Sequence, residues 1–182
     1  MQKHRIFIAI NLPENIKKKL ASYQEKWLDL PARWTKEINI HITLEFLGYI
    51  TDEELLEVIN IVKETAKNNR PFLINLTNVC YGPQNEKFPR MVWALGERSE
   101  ELNYLKNDLS SKIGTTEIRS FIPHITLARI NKWGWQKIDP EERPLIDEDI
   151  NFNFEVNSIE IMESVLKKGG PEYSILQSFN LK

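Results

Sequence analysis

A four-residue sequence occurs twice, and this repeat constrains the fold more than any other feature of the chain. The two copies are His41-Ile42-Thr43-Leu44 and His124-Ile125-Thr126-Leu127. The chain contains three histidines, and two of them open these copies. Polar and apolar residues alternate in each copy, which is typical of a half-buried β-strand. The repeat therefore predicts two similar strands that each present a histidine and a threonine on the same face.

The segments around the first copy predict alternating strands and helices. Residues 4–10 form a short apolar, β-branched run that predicts a buried strand. Apolar residues at spacings of four, three and four then predict a helix. The first copy lies in an alternating segment, residues 38–47, that predicts a strand ending at Gly48. Thr51 and Glu54 have the spacing of a capping box and predict the start of a second helix.

The second half of the chain predicts further strands around the second copy of the repeat. Strands are expected over residues 72–80, 90–95, 121–130, 152–166 (as one strand or two) and 173–181. Ser99 and Gly114 are typical of the two ends of a helix, and residues 131–149 predict an irregular connection. Hairpin-like pairs interrupt a pure βαβ pattern. The sequence therefore predicts an α+β fold with two pseudo-symmetric lobes of mostly antiparallel sheet and helices packed outside.

Composition excludes several classes of protein. The 182 residues carry 24 basic and 26 acidic side chains, for a net charge of −2, which excludes a strongly cationic surface for coating nucleic acid. The single cysteine, Cys80, excludes an internal disulfide and a cysteine-rich zinc site. No apolar run approaches the ~20 residues needed to span a bilayer, so no membrane association is expected. The expected location is the cytoplasm.

Paired histidines on two strands suit acid/base chemistry on a phosphodiester. Imidazole titrates near neutral pH, so that one ring can be neutral while the other is a cation. Each threonine lies beside its histidine and offers a hydroxyl donor to a phosphate oxygen. One ligand per strand is too few for a metal site, so neither a metal nor another cofactor is expected. The alternative is that both are strand histidines without a catalytic role. The two matching copies of the repeat argue against this alternative.

Four segments of the chain have the form of known family motifs. They are residues 5–13, residues 39–48 with the trailing Phe46-Leu47-Gly48, residues 121–129 with Pro123 and Arg129 around the motif, and Glu163-Ser164-Val165-Leu166 followed by Gly170 and Tyr173. Together they resemble the two-histidine, or H-x-T-x, phosphoesterases, and within them the RNA 2',3'-cyclic phosphodiesterase (2'-5' RNA ligase-like) family. They occur in the family's order, and the resemblance covers nearly the whole chain.

The resemblance implies a single bilobal domain over residues 1–182 with the active cleft between the lobes. It implies metal-independent hydrolysis of a terminal RNA 2',3'-cyclic phosphate to a 2'-phosphomonoester. His41 is then the proton donor to the leaving 3' oxygen, and His124 is the proton acceptor that activates water. Thr43 and Thr126 are expected to bind the phosphoryl oxygens. The expected partners are RNA 3' ends carrying the cyclic phosphate, including tRNA fragments, and the protein is expected to be a monomer.

Arg129 and Phe46 follow the two motifs and are further candidates. Arg129 is a candidate for phosphate binding, with a structural ion pair as the alternative. Phe46 is a candidate for base stacking, with core packing as the alternative. Strict strand alternation puts each on the face opposite its histidine. Arg129 reaches the site only if the strand ends or bulges at Ala128.

Three other functions are compatible with the same motifs. The reverse reaction would join a cyclic end to a 5'-hydroxyl as a 2'-5' link, although water at ~55 M favours hydrolysis unless two RNA ends are held together. A non-catalytic RNA- or nucleotide-binding module would retain the cleft, but the two intact motifs argue against it. The third alternative is a phosphodiesterase that acts on a small cyclic phosphate.

Overall fold

One antiparallel sheet organises a computed structural model that describes residues 3–83, 88–115 and 121–182. Within these ranges the nine strands are β1 (Lys3–Asn11), β2 (Ala32–Trp34), β3 (His41–Thr51), β4 (Phe72–Gly82), β5 (Met91–Gly96), β6 (His124–Ile130), β7 (Asp147–Val156), β8 (Ser158–Lys167) and β9 (Gly170–Asn180). The four α-helices described are α1 (Glu14–Ala21), α2 (Asp52–Asn68), α3 (Glu100–Ile113) and α4 (Lys132–Lys137).

The strand order shows two matching halves. It runs β7-β4-β5-β6-β3-β1-β8-β9, with the short β2 pairing separately with β6. We call β9-β8-β1-β3 the first lobe and β7-β4-β5-β6 the second lobe. Where β3 meets β6, the register pairs Ile42 with Ile125, the second residues of the two motifs. A pseudo-twofold axis therefore passes between these isoleucines, and the predicted α+β fold with two antiparallel lobes is confirmed.

The two faces of the sheet have different environments. The helices cover one face, where the main core joins their apolar residues to alternate residues of the strands. This core includes Ile16 and Leu20 of α1, Val62 and Ala66 of α2, Leu102, Leu105 and Leu109 of α3, and Ile8, Ile42 and Ile125 of the sheet. A much smaller cluster of Phe7, Ala9 and Met162, with Tyr173 against it, lies on the opposite face. That second face stays open, and the candidate site lies on it.

The ends of α2 and α3 follow the sequence signals. The Thr51 hydroxyl accepts from the Glu54 backbone N–H at 3.3 Å, and the Glu54 carboxylate accepts from the Thr51 N–H at 2.7 Å. The Ser99 hydroxyl accepts from the Leu102 N–H, and Gly114 ends α3 with a φ of +80°. The capping predictions are confirmed. No helix in the described ranges is long and apolar enough to cross a membrane.

The structure corrects the predicted bounds of the strand that carries the first motif. Residues Glu37–Asn39 form a turn of 3-10 helix, and Ile38 is 71% exposed, so β3 begins at His41 rather than at residue 38. The strand also continues through Gly48 to Thr51. Gly48 adopts a φ of +73° next to a register shift in the β1–β3 pairing. A glycine in a bulge tolerates this conformation without ending the strand.

Two further expectations about the second half were wrong. β6 begins at His124, because Pro123 has no backbone N–H to donate to a neighbouring strand. Residues 131–149 contain α4, a turn of 3-10 helix at Pro140–Glu142 and the start of β7. The Asn131 side chain caps α4 by accepting from the Gly134 N–H at 2.9 Å. A helix of six residues is too short to show apolar periodicity, so the sequence did not reveal it.

Candidate active site

The two motifs meet on the open face of the sheet. His41 is the first residue of β3 and His124 is the first residue of β6. Their apolar neighbours face the main core: Ile42, Leu44, Ile125 and Leu127 are all buried. Because the strands are antiparallel about the Ile42–Ile125 pair, each histidine is directed toward the threonine of the other strand. All four polar side chains line one cleft of about 990 Å³.

The main chain fixes the orientation of both imidazoles. The Nδ1–H of His41 donates to the carbonyl oxygen of Asn39 at 2.7 Å, and the Nδ1–H of His124 donates to the carbonyl oxygen of Ile122 at 2.8 Å. A carbonyl oxygen only accepts, so the proton of each neutral ring lies on Nδ1. Each Nε2 is therefore the atom left to exchange a proton with a substrate.

The two threonines have different hydroxyl partners. Thr43 Oγ1 lies 3.0 Å from Nε2 of His41 and donates to it when the ring is neutral. Among the described residues, Thr126 Oγ1 has only a weak contact, at 3.9 Å from the sulfur of Met91. Neither hydroxyl proton is held by a carboxylate or carbonyl oxygen of the described residues. Both hydroxyls can therefore rotate toward a phosphate oxygen in the cleft.

Burial lowers the pKa of both catalytic candidates. It lowers the pKa of His41 to about 4, although the hydrogen bond to the Asn39 carbonyl acts in the opposite direction. The charges of Lys17, His124 and Arg129 lower it further. Burial also lowers the pKa of His124, with a smaller contribution from Arg129. Both rings are therefore neutral at pH 7 in the free protein, and a bound phosphate anion would favour their protonated forms.

Aromatic rings surround each imidazole and were not predicted as part of the site. The ring of His41 lies 5.0 Å from that of Phe7 and 5.3 Å from that of Tyr173. The ring of His124 lies 4.1 Å from that of Trp93, at an interplanar angle of 31°. Trp93 is directly opposite Thr126 in the β5–β6 register. One sequence signal could have placed Phe7 in the site. Phe7 lies between the core residues Ile6 and Ile8, so strand alternation puts its side chain on the opposite face of the sheet.

A bulge in each motif strand reverses the strand alternation after the threonine. In β3, Thr43 pairs with Ala9 but Glu45 pairs with Ile8, which leaves Leu44 as the extra residue. In β6, Thr126 pairs with Trp93 but Ala128 pairs with Val92, which leaves Leu127 as the extra residue. Two consecutive residues in each strand are therefore buried: Leu44 and Glu45, and Leu127 and Ala128.

The bulges bring Phe46 and Arg129 to the same face as the histidines. Phe46 is 69% exposed, lines the cleft and has its ring 6.0 Å from that of Phe7. Arg129 also lines the cleft, with its Nη1 3.5 Å from the sulfur of Met91. Phe46 is thus outside the core, and no carboxylate of the described residues forms a salt bridge with Arg129. The structure brings all six sequence-derived candidates into one cleft.

The charges that line the cleft are mostly positive despite the net negative charge of the chain. Arg5, Arg33, Lys36 and Arg129 all contribute to its lining. The carboxylate of Glu45, which also lines it, forms a buried ion pair with Lys106. Within the described ranges, no three His, Cys, Asp or Glu side chains converge as a metal site requires. The cleft is suited to an anionic ligand.

Sequence comparison identifies relatives over the full length of the chain. A family model described as LigT-like phosphoesterase matches residues 10–93. A protein of Aquifex aeolicus named RNA 2',3'-cyclic phosphodiesterase is 30% identical, and the alignment covers 100% of this chain and 99% of the relative. A protein of the same name from Methanocaldococcus jannaschii is 29% identical, with 96% and 99% covered.

Solved structures share the same fold. A crystal structure of a Thermus thermophilus protein matches with a TM-score of 0.84 and 28% identity, covering 97% of each chain. The crystal structure of E. coli LigT complexed with 3'-AMP matches with a TM-score of 0.81 and 22% identity, covering 100% of this chain and 99% of LigT. At that identity the second match establishes the common fold. This chain therefore belongs to the LigT-like phosphoesterases, within the RNA 2',3'-cyclic phosphodiesterase family.

Proposed function

We propose that the protein hydrolyses the 2',3'-cyclic phosphate at the 3' end of RNA to a 2'-phosphomonoester. One observation carries the proposal: His41 and His124 face one cleft, each with Nδ1 held by a carbonyl and Nε2 left to exchange a proton. The shared name of relatives that match the whole chain supports the same class of enzyme. The family and enzyme class predicted from the sequence agree with this match.

The proposed reaction moves one proton at each histidine. Nε2 of His124 accepts a proton from water, and the resulting nucleophile attacks phosphorus. The bond from phosphorus to the 3' oxygen breaks, and Nε2–H of His41 protonates that oxygen. The reaction leaves His124 protonated and His41 neutral, and exchange with solvent restores the starting state. The phosphate anion supports the protonation of His41, whose pKa is low in the free protein.

The remaining cleft residues take binding roles in this proposal. Thr43 and Thr126 donate hydrogen bonds to the non-bridging oxygens, and the Arg129 guanidinium offsets their charge. Phe46, exposed at the side of the cleft, stacks on the terminal base.

The composition of the site also supports a proposal for the domain organisation and the oligomeric state of the protein. It takes residues from both lobes of a single chain, so we propose residues 1–182 as one domain that acts as a monomer on RNA ends such as those of tRNA fragments. The cytoplasmic location stays a prediction from the sequence.

A direct assay tests the activity. Purified protein treated with a chelator is incubated with a short RNA ending in a 2',3'-cyclic phosphate, and the end group of the product is identified. We expect a 2'-phosphate, with the His124→Ala protein as the inactive control. A 3'-phosphate product would contradict the proposal, as would activity that disappears with chelator and returns with a divalent ion. Adding an RNA with a 5'-hydroxyl tests the ligation alternative, and we expect hydrolysis to dominate.

A substrate with a better leaving group tests which histidine is the acid. Replacing the 3' bridging oxygen by sulfur gives a thiolate, which leaves without protonation. The His41→Ala protein should hydrolyse this analogue at a rate near that of the wild type. The His124→Ala protein should remain inactive, because water still needs a base. The opposite result would exchange the two roles.

A further inference from the structure

Two arginines lie directly opposite each other at one end of the cleft. Arg33 of β2 pairs with Arg129 of β6 in the antiparallel register. Opposed residues in such a pair have Cα atoms about 4.5–5.5 Å apart, and like charges in this position destabilise a sheet. Among the described residues, no carboxylate forms a salt bridge with either guanidinium. The pair is therefore an electrostatic cost in the free protein that a bound anion would offset.

The two guanidinium groups occupy different parts of the cleft. Arg129 contacts Met91, which also contacts the Thr126 hydroxyl, and it lies close enough to both imidazoles to lower their pKa. Arg33 lies instead beside the turn between β8 and β9. Its Nη1 is 3.6 Å from the position that a Cβ on Gly170 would occupy. Arg129 thus belongs with the reactive phosphate, whereas Arg33 lies against the β8–β9 turn and is not among the charges that lower the pKa of either imidazole.

Lys36, another cation of the cleft, differs from Arg33 in its surroundings. Lys36 also lines the cleft, but its charge acts on Glu172, which forms an ion pair with Lys167. Arg33 has no such acidic neighbour among the contacts of the described residues. Its planar guanidinium can bind two oxygens of a phosphodiester at once. Arg33 is therefore more available than Lys36 to a second phosphate in the cleft.

We propose that Arg33 binds the phosphodiester on the 5' side of the terminal nucleotide, while Arg129 serves the cyclic phosphate. This inference rests on the proposed function and adds to it a subsite for the internucleotide phosphate of the RNA. A free nucleoside cyclic phosphate has no 5' phosphate and leaves Arg33 without a ligand. The cleft should therefore hydrolyse a dinucleotide more efficiently than the corresponding mononucleotide.

Two substrates with the same terminal base separate this subsite from the chemistry. One is a nucleoside 2',3'-cyclic phosphate, and the other is a dinucleotide that ends in it. For Arg33→Ala we expect kcat/KM on the dinucleotide to fall about 10- to 100-fold, mainly through KM, from the loss of one charge-assisted contact. On the mononucleotide, kcat/KM should stay within about twofold of the wild-type value. Arg70→Ala, an exposed arginine outside the cleft, is the matched control and should change neither.

A dinucleotide with an uncharged internucleotide linkage tests whether Arg33 interacts with the charge of that phosphate. A dinucleotide whose internucleotide phosphate is replaced by a methylphosphonate should lose the advantage in the wild-type protein and be insensitive to Arg33→Ala. Raising the salt concentration should reduce kcat/KM on the normal dinucleotide more steeply in the wild type than in Arg33→Ala. For a single strand, the difference in slope is about 0.7 per neutralised phosphate.

The results distinguish failure of the subsite from failure of the activity. Equal loss on both substrates in Arg33→Ala, or no loss on either, would overturn the subsite while leaving hydrolysis intact. A wild-type protein that hydrolyses the mononucleotide and shows no preference for the dinucleotide would do the same. A wild-type protein that hydrolyses neither would overturn the proposed function and the subsite with it.

Discussion

Lys106 of α3 and Glu45 of β3 form a buried ion pair that links the two lobes. The helix α3 connects β5 to β6 of the second lobe, whereas β3 belongs to the first. Ser110 completes the group: its hydroxyl donates to Glu45 Oε2 at 3.1 Å and accepts from Lys106 Nζ at 2.9 Å. Glu45 lies in the bulge that turns Phe46 into the cleft, so this pair holds part of the site in place.

Breaking this pair should destabilise the protein. Lys106→Met leaves the Glu45 carboxylate buried without its cation, which costs about 3–5 kcal/mol in free energy of unfolding. Urea denaturation measures the loss. Lys112→Met, which removes partly exposed pairs with Asp108 and Glu64, is the control and should cost at most about 1 kcal/mol. The Glu45→Gln/Lys106→Met double substitution should recover part of the loss, and equal losses for Lys106→Met and the control would contradict the prediction.

The two cleft histidines should act as one unit. His41→Ala and His124→Ala should each abolish measurable turnover of the cyclic phosphate, while the melting temperature changes little because neither ring belongs to the main core. The double substitution should be scarcely slower than either single one, since both groups serve one phosphate. Rates that multiply fully in a folded double variant would show that the histidines work independently.

The three histidines should titrate in two groups. Hydrogen bonding to Glu163 raises the pKa of His4, whereas burial lowers the pKa of His41 to about 4 and also lowers that of His124. Titration followed by NMR should therefore show one histidine with a pKa above 6.5 and two below it. Long-range nitrogen shifts should place the proton of the two neutral cleft rings on Nδ1. A value at or above 6.5 for His41 in the free protein would refute this.

The same pKa values predict how the pH profile changes with substrate. The reaction needs one ring protonated and the other neutral, which gives a bell shape whose limbs belong to the pair. Because both pKa values of the free protein are lowered, the maximum of kcat/KM should lie below pH 6.5. Bound phosphate favours protonation, so the maximum of kcat should lie at higher pH. Coincident maxima for the two parameters would contradict a role of the phosphate in protonating the site.

Phe46 and Arg129 should affect binding differently, although they hold equivalent positions in the two lobes. Phe46→Ala should raise KM by about 5- to 100-fold, since stacking on one base contributes ~1–3 kcal/mol, and Phe46→Trp should retain affinity. Arg129→Ala should lower kcat as well as kcat/KM, because its charge acts on the reacting phosphate. Kinetics with one RNA substrate measure both effects. If Arg129→Ala raised KM and left kcat unchanged, as expected for Phe46→Ala, Arg129 would lie away from the reacting phosphate.

The sequence predicted those parts of the site that follow regular periodicity. Alternation in the two motifs predicted that His41, Thr43, His124 and Thr126 face away from the apolar residues, and the structure has them there. The capping signals at Thr51 and Ser99 likewise depend on residues close in sequence. Local chemistry of this kind can be read without knowing the partner strands.

Periodicity could not place Phe46 and Arg129. Each follows a bulge, and the extra residue is defined by its pairing with a neighbouring strand, at Ile8–Ala9 for one and Val92–Trp93 for the other. No residue type in either strand marks the bulge by itself. The contact of Trp93 with His124 was equally hidden, because it depends on which strand lies beside β6.

Holding both imidazoles by main-chain carbonyls has a consequence for how the site tolerates mutation. A carboxylate at Nδ1 would orient the ring too, but it would add negative charge beside a phosphate. A carbonyl at positions 39 and 122 does not depend on which side chain is attached, so substitutions there can leave the ring's anchor intact. What must be preserved is the path of the backbone, and Pro123 restricts that path at Ile122 just before the second histidine. The Nδ1–H tautomer of each cleft histidine therefore depends on the backbone conformation and not on an acidic side chain.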